Sequence, residues 1–440
     1  MTAGLRVALG FMVLTFWARG QNASEVDLTP EIGPHSGDVT WSLRNHILTW
    51  NTPQLTLNLD PWFTLRHVSG TMSPLTQSPP TLTIDNLRGA HFDAQLDGIW
   101  RVEGSLEEMQ GYIGAWEAVT MEEITALPGW GRAKIKSDGR VDVARARVIS
   151  SCNSVSSQGD SLSFIVAYAP LEWGNLPSPI TFSDQATSFP RASLAWVRPE
   201  QIQAKTTVAR WTGTDRGPVG GSTEGLFRQT DACWTDLQWE GLPRWAFGML
   251  GGAMRARPWI GELEEDSLYH FDWRPWLSMT TSWTTKSDHI RIAGEWASHQ
   301  GWGLAATWRP KPSWFVTAST TRLLELTGTS ISLLNAGTPV SAVLRPAGLT
   351  KAVFRNEFQF LWTNESWKTG GNFAMAGTLL VAEAWLGFCL HRVWPLHVTL
   401  GAEIWQGAAI SNFPSEGARL RVGLSHQLGM TPGSTTFTSP

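Results

Sequence analysis

The side chains able to do covalent chemistry are few and scattered. His270 in "LYHFDWRPW" and His397 in "PLHVTL" stand beside no nucleophile motif, and the other histidines are no better placed. Cys152, Cys233 and Cys389 are odd in number and far apart, so they predict neither a disulfide framework nor a zinc cluster. The chain has no P-loop and no dinucleotide fingerprint. What recurs at regular spacing is charge. Arg291, Glu295, Arg309, Glu357, Glu403, Arg419 and Arg421 occupy the polar positions of alternating runs. Such groups line a polar interior, where they can select a solute or contact polysaccharide, or neutralise one another in a salt-bridge network. Both readings stay open. The expectation is a protein without catalytic residues, cofactor or metal.

The elements that hold these charges have a period of two. In "HIRIAGEWAS", Ile290, Ile292 and Trp296 share one face, with Arg291, Ala293 and Glu295 on the other. "GWGLAATWRP" sets Trp302, Leu304, Ala306 and Trp308 against Gly303, Thr307 and Arg309. "LHVTLGAEIW" and "ARLRVGLSHQL" alternate in the same way. That pattern puts successive side chains on opposite faces of a pleated strand. Proline-bearing connections such as "RPEQ" and "RPKPS" join the runs as antiparallel neighbours. A soluble sandwich alternates too. Strand lengths near ten, tryptophan close to strand ends and the scarcity of helix-period runs favour a sheet closed in lipid, where no open edge is tolerated. The predicted class is all-β: an antiparallel transmembrane β-barrel of roughly 14 to 18 strands, with short helical or loop elements in its N-terminal part.

Composition agrees. The chain holds 26 Trp but 3 Tyr, and its charged fraction of 16% falls well below the quarter or so usual in soluble domains. Amphipathic rings gather where protein meets lipid headgroups, and a net charge of −4 without a basic block speaks against nucleic acid. Residues 1–20, with Arg6, an apolar run and small residues at Ala18 and Gly20, read as a signal peptide. The expected layout is a signal at 1–20, N-terminal strands with an irregular or helical segment at 21–135, a barrel core at 136–430 and a flexible tail at 431–440. Within the second part, "DGIWRVEGSLEEMQGYIGAWEAVTMEEITAL" could hold a short helix. "ALPGWGRAKI" partly matches a phosphate-gripping helical hairpin but reads better as a loop leading into a strand. "FAMAGTLLVAEAWLGFCL" is apolar enough for a membrane helix, yet Glu383 in its middle argues for two strands with a turn near Ala382–Ala384.

One stretch fits neither element. "APLEWGNLPSPITFSDQATSFP" lies between "DSLSFIVAY" and "RASLAWV", both good strands. With its flanks it resembles the core of the capsule-assembly Wzi family and of the RemB-type gliding-motility barrels of Bacteroidetes. Trp173-Gly174 corresponds to that family's Gly-rich turn. Phe182-Ser183-Asp184-Gln185-Ala186 corresponds to its Leu-Ser-Asp/Asn-Asn-Ala-like box, and Phe189-Pro190 to its aromatic-proline step. Asn175, Pro177 and Pro179 replace most of the glycines, and Gln185 stands where Asn is usual. The resemblance covers roughly residues 140 to 212. It implies a non-enzymatic outer-membrane protein that contacts lipid and binds or anchors surface polysaccharide or envelope machinery. A porin-like channel for small solutes is the alternative. The stretch is expected to leave the wall as an irregular excursion, at the rim or folded into the lumen.

Overall fold

The computed structural model describes residues 38–41, 47–70, 84–112, 126–127, 130–136, 140–157, 159–171, 173–176, 179–182, 188–199, 201–216, 227–256, 273–298, 301–323, 353–363, 367–376, 379–391, 396–406 and 416–427. Among them there is no helix. Strands β1 (Asp38–Trp41) and β2 (Leu48–Asn51) precede the wall. The first wall strands are β3 (Leu55–Gly70), β4 (Ile84–Leu96) and β5 (Trp100–Gly111). A small hairpin, β6 (Ala126–Leu127) and β7 (Gly131–Ile135), leads into β8 (Val141–Val155). There follow β9 (Ser161–Ala169), β10 (Phe189–Arg198), β11 (Ile202–Arg216), β12 (Phe227–Leu242) and β13 (Trp245–Ala256). Next come β14 (Arg274–Thr284), β15 (Ile290–Ala297), β16 (Gly301–Trp308), β17 (Trp314–Leu323) and β18 (Val353–Thr363). The last are β19 (Trp367–Ala376), β20 (Leu379–His391), β21 (Leu396–Gln406) and β22 (Glu416–Gln427).

From β3 onward each wall strand pairs antiparallel with the next, β5 passing directly to β8. β22 then pairs with β3, Arg419 opposite Gly70 through Gln427 opposite Trp62, which closes an 18-stranded barrel. The count is at the top of the expected range. Connections at one end are two to five residues long, as at 97–99, 156–160 and 243–244. Those at the other end include 71–83, 170–188, 257–273 and 324–352. Asp97-Gly98 illustrates the short type: φ angles of 50° and 69° give the turn whose twist matches two paired strands.

One local expectation is corrected and one is narrowed. Of the stretch that could hold a short helix, Trp100–Gly111 is strand β5. Its adjacent acids go to opposite faces, Glu107 inward to Arg145 and Glu108 outward to Arg88, as period two requires. Residues 113–125 lie outside the described residues. The expected turn near Ala382–Ala384 lies earlier: β19 ends at Ala376 and β20 begins at Leu379. Glu383 therefore sits inside a wall strand, on the inward parity of buried Val381, so a mid-strand charge is compatible with the wall.

The outer face is apolar along the expected parity. Ile290, Ile292, Trp296, Leu304 and Trp308 are exposed, while Ala293, Glu295 and Ala305 on the alternate parity are buried. Exposed indoles cluster beside the short turns: Trp100, Trp239, Trp245, Trp308, Trp314 and Trp367. Several meet neighbouring rings: Trp245 stacks on Phe247 at 5.8 Å, and Trp314 lies tilted against Trp362 at 6.3 Å. Near the other end, Trp302 meets Phe354 edge-on at 6.1 Å.

Candidate functional site

The excursion between β9 and β10 folds into the lumen. Its exit from the wall is held by Arg191 on β10, whose Nη1 donates to the carbonyls of Ala169 and Pro170. The same guanidinium lies 5.6 Å over the ring of Phe189. Further in, the Trp173 N–H donates to the Phe182 carbonyl at 3.1 Å, and an isolated antiparallel bridge between them draws the excursion into a narrow loop.

Two apolar contacts seal this loop to the wall. In the first, Trp173 and Phe182 pack with Phe189 of β10, Trp211 of β11, Trp234 of β12, Leu250 of β13 and Trp276 of β14. Phe182 lies 5.2 Å from Trp234 and meets Trp276 edge-on at 5.7 Å. The indole N–H groups of Trp211, Trp234 and Trp276 are buried without a hydrogen-bond partner, so burial and ring contact hold them in place. In the second, Leu176 and Ile180 pack on Ala297 and Ala305. β15 and β16 are small-residued on this face, and a Cβ on Gly303 would come within 2.6 Å of Leu176 Cδ1.

A polar latch joins the two. Glu295 Oε1 accepts from the backbone N–H of Ile180 and of Thr181, both at 2.9 Å, and from Thr181 Oγ1 at 3.1 Å. Thr181 Oγ1 also lies 2.9 Å from Ser278 Oγ. Gly174, at φ 140°, has the backbone there that favours glycine, and a Cβ on it would come within 2.5 Å of Glu295 Oε2. Beside the latch, Arg291 Nη2 donates to Asn175 Oδ1 at 2.9 Å. Between the loop and β12–β15 lies a cavity of about 230 Å³, lined by Trp173, Asn175, Gln238, Glu240, Thr280 and Arg291.

The predicted residues thus separate. Trp173, Gly174 and Phe182 meet in the plug, whereas Phe189 and Pro190 are already on β10, Phe189 buried inward against the plug's aromatic cluster and Pro190 exposed opposite Tyr168. Ser183, Asp184, Gln185 and Ala186 lie outside the described residues. Arg291 faces the cavity, and Glu295 faces inward but is covered by the plug, with 3% of its surface exposed. Arg309 lies past the end of β16, over the Phe315 ring at 5.1 Å, on the short-turn rim. Glu357 is buried with Arg355 at 3.6 Å. Glu403 stands opposite Arg419, and Arg421 opposite Gly401, while the side chains of all three lie outside the described residues.

Sequence reading missed most of the inward ion pairs. Arg66 binds Asp85 at 2.9 Å, and Asp85 also accepts from the Tyr112 N–H. Glu107 is held by Arg145, which lies over the Trp130 ring, and by Ser105. Arg101 meets Asp93 at 2.7 Å, and Lys205 meets Asp236 at 3.3 Å. The alternation in "VDVARARVISS" marks Arg145 as a polar position, but its partner is on another strand. Among the described residues no group of three or more His, Cys, Asp and Glu converges to hold a metal.

No family model and no curated protein matches this chain. Solved barrels resemble it distantly. Pseudomonas aeruginosa OccK5 (OpdH) is 8% identical, with 84% of this chain and 98% of that one covered and a TM-score of 0.47. Wzi of Escherichia coli, an outer-membrane protein involved in group 1 capsule assembly and described as a carbohydrate-binding β-barrel, is 10% identical over 82% and 83%, at 0.45. Salmonella typhi OmpF is 9% identical over 86% and 100%, at 0.41. Likeness of this degree is confined to barrel form.

Proposed function

We propose that this chain is a non-enzymatic outer-membrane β-barrel whose plugged interior binds saccharide, in the service of surface polysaccharide. The membrane part of the reading is supported by the closed wall, the apolar exterior and the indoles beside the turns. So large a continuous apolar surface is foreign to a water-soluble monomer. By the usual arrangement of such barrels, the short turns face the periplasm and the long connections the exterior. The plug therefore enters from outside.

The observation that carries the saccharide reading is the cavity at the plug. It sets an indole edge, two amide side chains, a hydroxyl, a carboxylate and a guanidinium around a space of about 230 Å³. Planar amides and charged groups exchange hydrogen bonds with sugar hydroxyls, and indole packs on the apolar patches of a ring. Elsewhere on the inner face Arg66, Arg145 and Lys205 are paired with Asp85, Glu107 and Asp236, which weakens the net field of the lumen and favours a polyhydroxylated solute over a simple ion. A second reading, a narrowed solute channel, is favoured by the plug's apolar contacts, which fall on β11–β16 and leave the rest of the ring to other groups. Two measurements separate the readings: conductance of the purified protein in planar bilayers, and capsule retention in a deletion strain. Lost capsule with negligible conductance supports the first. Intact capsule with steady, saccharide-insensitive conductance overturns it.

A further inference from the structure

The outer wall carries a charged feature that the lumen does not use. On β11, Val208 is 55% exposed while Trp211 is buried, and on β13 Met249 is exposed while Leu250 is buried. The same parities turn Arg210 and Arg255 outward. Asp231 of β12 lies between them in register, opposite Arg210 on one side and opposite Arg255 on the other. Arg210 Nε donates to Asp231 Oδ1 at 2.6 Å. The Arg255 guanidinium lies 5.3 Å over the ring of Trp273. Three adjacent strands thus present two cations and one anion side by side on the outside of the barrel.

The depth of this row is informative. From Asp231 to Trp239, an indole beside the short turn, the strand runs roughly 27 Å at ~3.4 Å per residue, or about 21 Å of membrane depth at a tilt near 40°. An apolar band in such barrels is about 25 Å tall, so the row sits where the hydrocarbon ends and headgroups begin. At the matching end of β15 and β16 the wall carries Trp296 and Trp302 instead. Arg88 and Arg322 also face outward near the long-connection end. Among the described wall strands, the outward cation at the opposite end is Arg198, paired with Asp160.

We propose that the Arg210–Asp231–Arg255 row docks the phosphate of a membrane lipid headgroup in the leaflet at the long-connection end. The guanidinium fork matches phosphate oxygens in pairs, Asp231 holds one fork in place, and the Trp273 face supports the other. The site rests on the lipid-facing reading of the exterior, not on the solute the lumen takes.

The test is native mass spectrometry of the full chain in nanodiscs, with bisphosphorylated lipid A and its phosphate-free counterpart as probes. The wild type should retain the phosphorylated lipid preferentially. The double variant Arg210→Gln/Arg255→Gln should lose that preference by about thirtyfold, from what two interfacial cations contribute. Arg198→Gln should leave it unchanged, and a heat-dependent gel shift checks that each barrel is closed. Equal retention of both lipids by the wild type, or a double variant that binds like it, would overturn the proposal. So would binding of inorganic pyrophosphate with the affinity of the lipid. A chain that stays out of bilayers would sink the membrane reading and this site with it, whereas insertion without phosphate preference would sink the site alone.

Discussion

Replacing Glu295 by alanine should release the plug and leave the wall standing. Oε1 accepts from two backbone N–H groups and one hydroxyl, all from the plug. A hydrogen bond to a charged acceptor contributes about 1.5–3 kcal/mol net, and each buried donor left without a partner costs about 1–3 kcal/mol. These terms overlap, so the loss of anchoring is roughly 3–5 kcal/mol and not their sum. The apolar contacts at Phe182 and Ile180 remain, and so do the ladders of β15. A loss of even 3 kcal/mol changes a local opening equilibrium by about two orders of magnitude. Hydrogen exchange at Ile180 and Thr181 in detergent-solubilised protein reads this directly. Protection there should fall about a hundredfold while amides of β11–β14 keep theirs. Glu295→Gln, which retains an acceptor oxygen without the charge, should fall between. Unchanged protection at both amides in Glu295→Ala would refute the latch, and equal loss across the wall would show that Glu295 supports the barrel rather than the plug.

Gly174→Ala should reproduce the release of the plug, since its φ is strained for a side chain and its Cβ would press on Glu295 Oε2; exchange at Thr181 is again the readout. Trp276→Ala should loosen the plug by about 3–5 kcal/mol through the cavity it leaves, seen as tryptophan emission shifted to the red. Trp308→Ala, on the outer face, should leave plug protection and conductance alone and weaken bilayer insertion, measured by the folded fraction on unboiled gels. At the short turns, the Arg198 guanidinium that donates to Asp160 holds its carboxyl below the usual carboxylate range. A depressed folded-state pKa means the pair contributes above the unfolded value of about 3.9 and is lost as pH falls through the folded value. Exchange at the Ser156 amide should therefore rise only in that acid window, and Asp160→Asn should remove the step.

Period-two alternation made the wall legible. It assigned Ile290, Ile292 and Trp296 to one face and Ala293 and Glu295 to the other from spacing alone, and the burial of these residues follows it. What spacing cannot carry is a partner. Glu295 and Ile180 are 115 residues apart, and their hydrogen bond exists only because the ring brings β15 beside a loop that starts at β9. The partners of Glu107 and Glu108 are hidden for the same reason, since each acid finds its arginine on a neighbouring strand. The displaced turn before β20 has a different cause. An apolar run with one charge was read as needing a break at the charge, but a barrel wall accepts Glu383 in mid-strand on its inward face.

The closing contact between β22 and β3 joins the two ends of the wall, with Arg419 opposite Gly70. It therefore sets an order of assembly. No pairing between these strands can form until nearly all of the chain has been made, and so distant a contact is entropically the slowest to find. The plug has a shorter reach to make, because the strands it grips, β11 to β16, follow it in the chain after β10. It can dock while the sheet is still an open ribbon, with Glu295 already on Ile180 and Thr181. None of these contacts needs β22 to have reached β3. A newly made chain must be kept from aggregating through that interval, with two unpaired edges at opposite ends of its sequence.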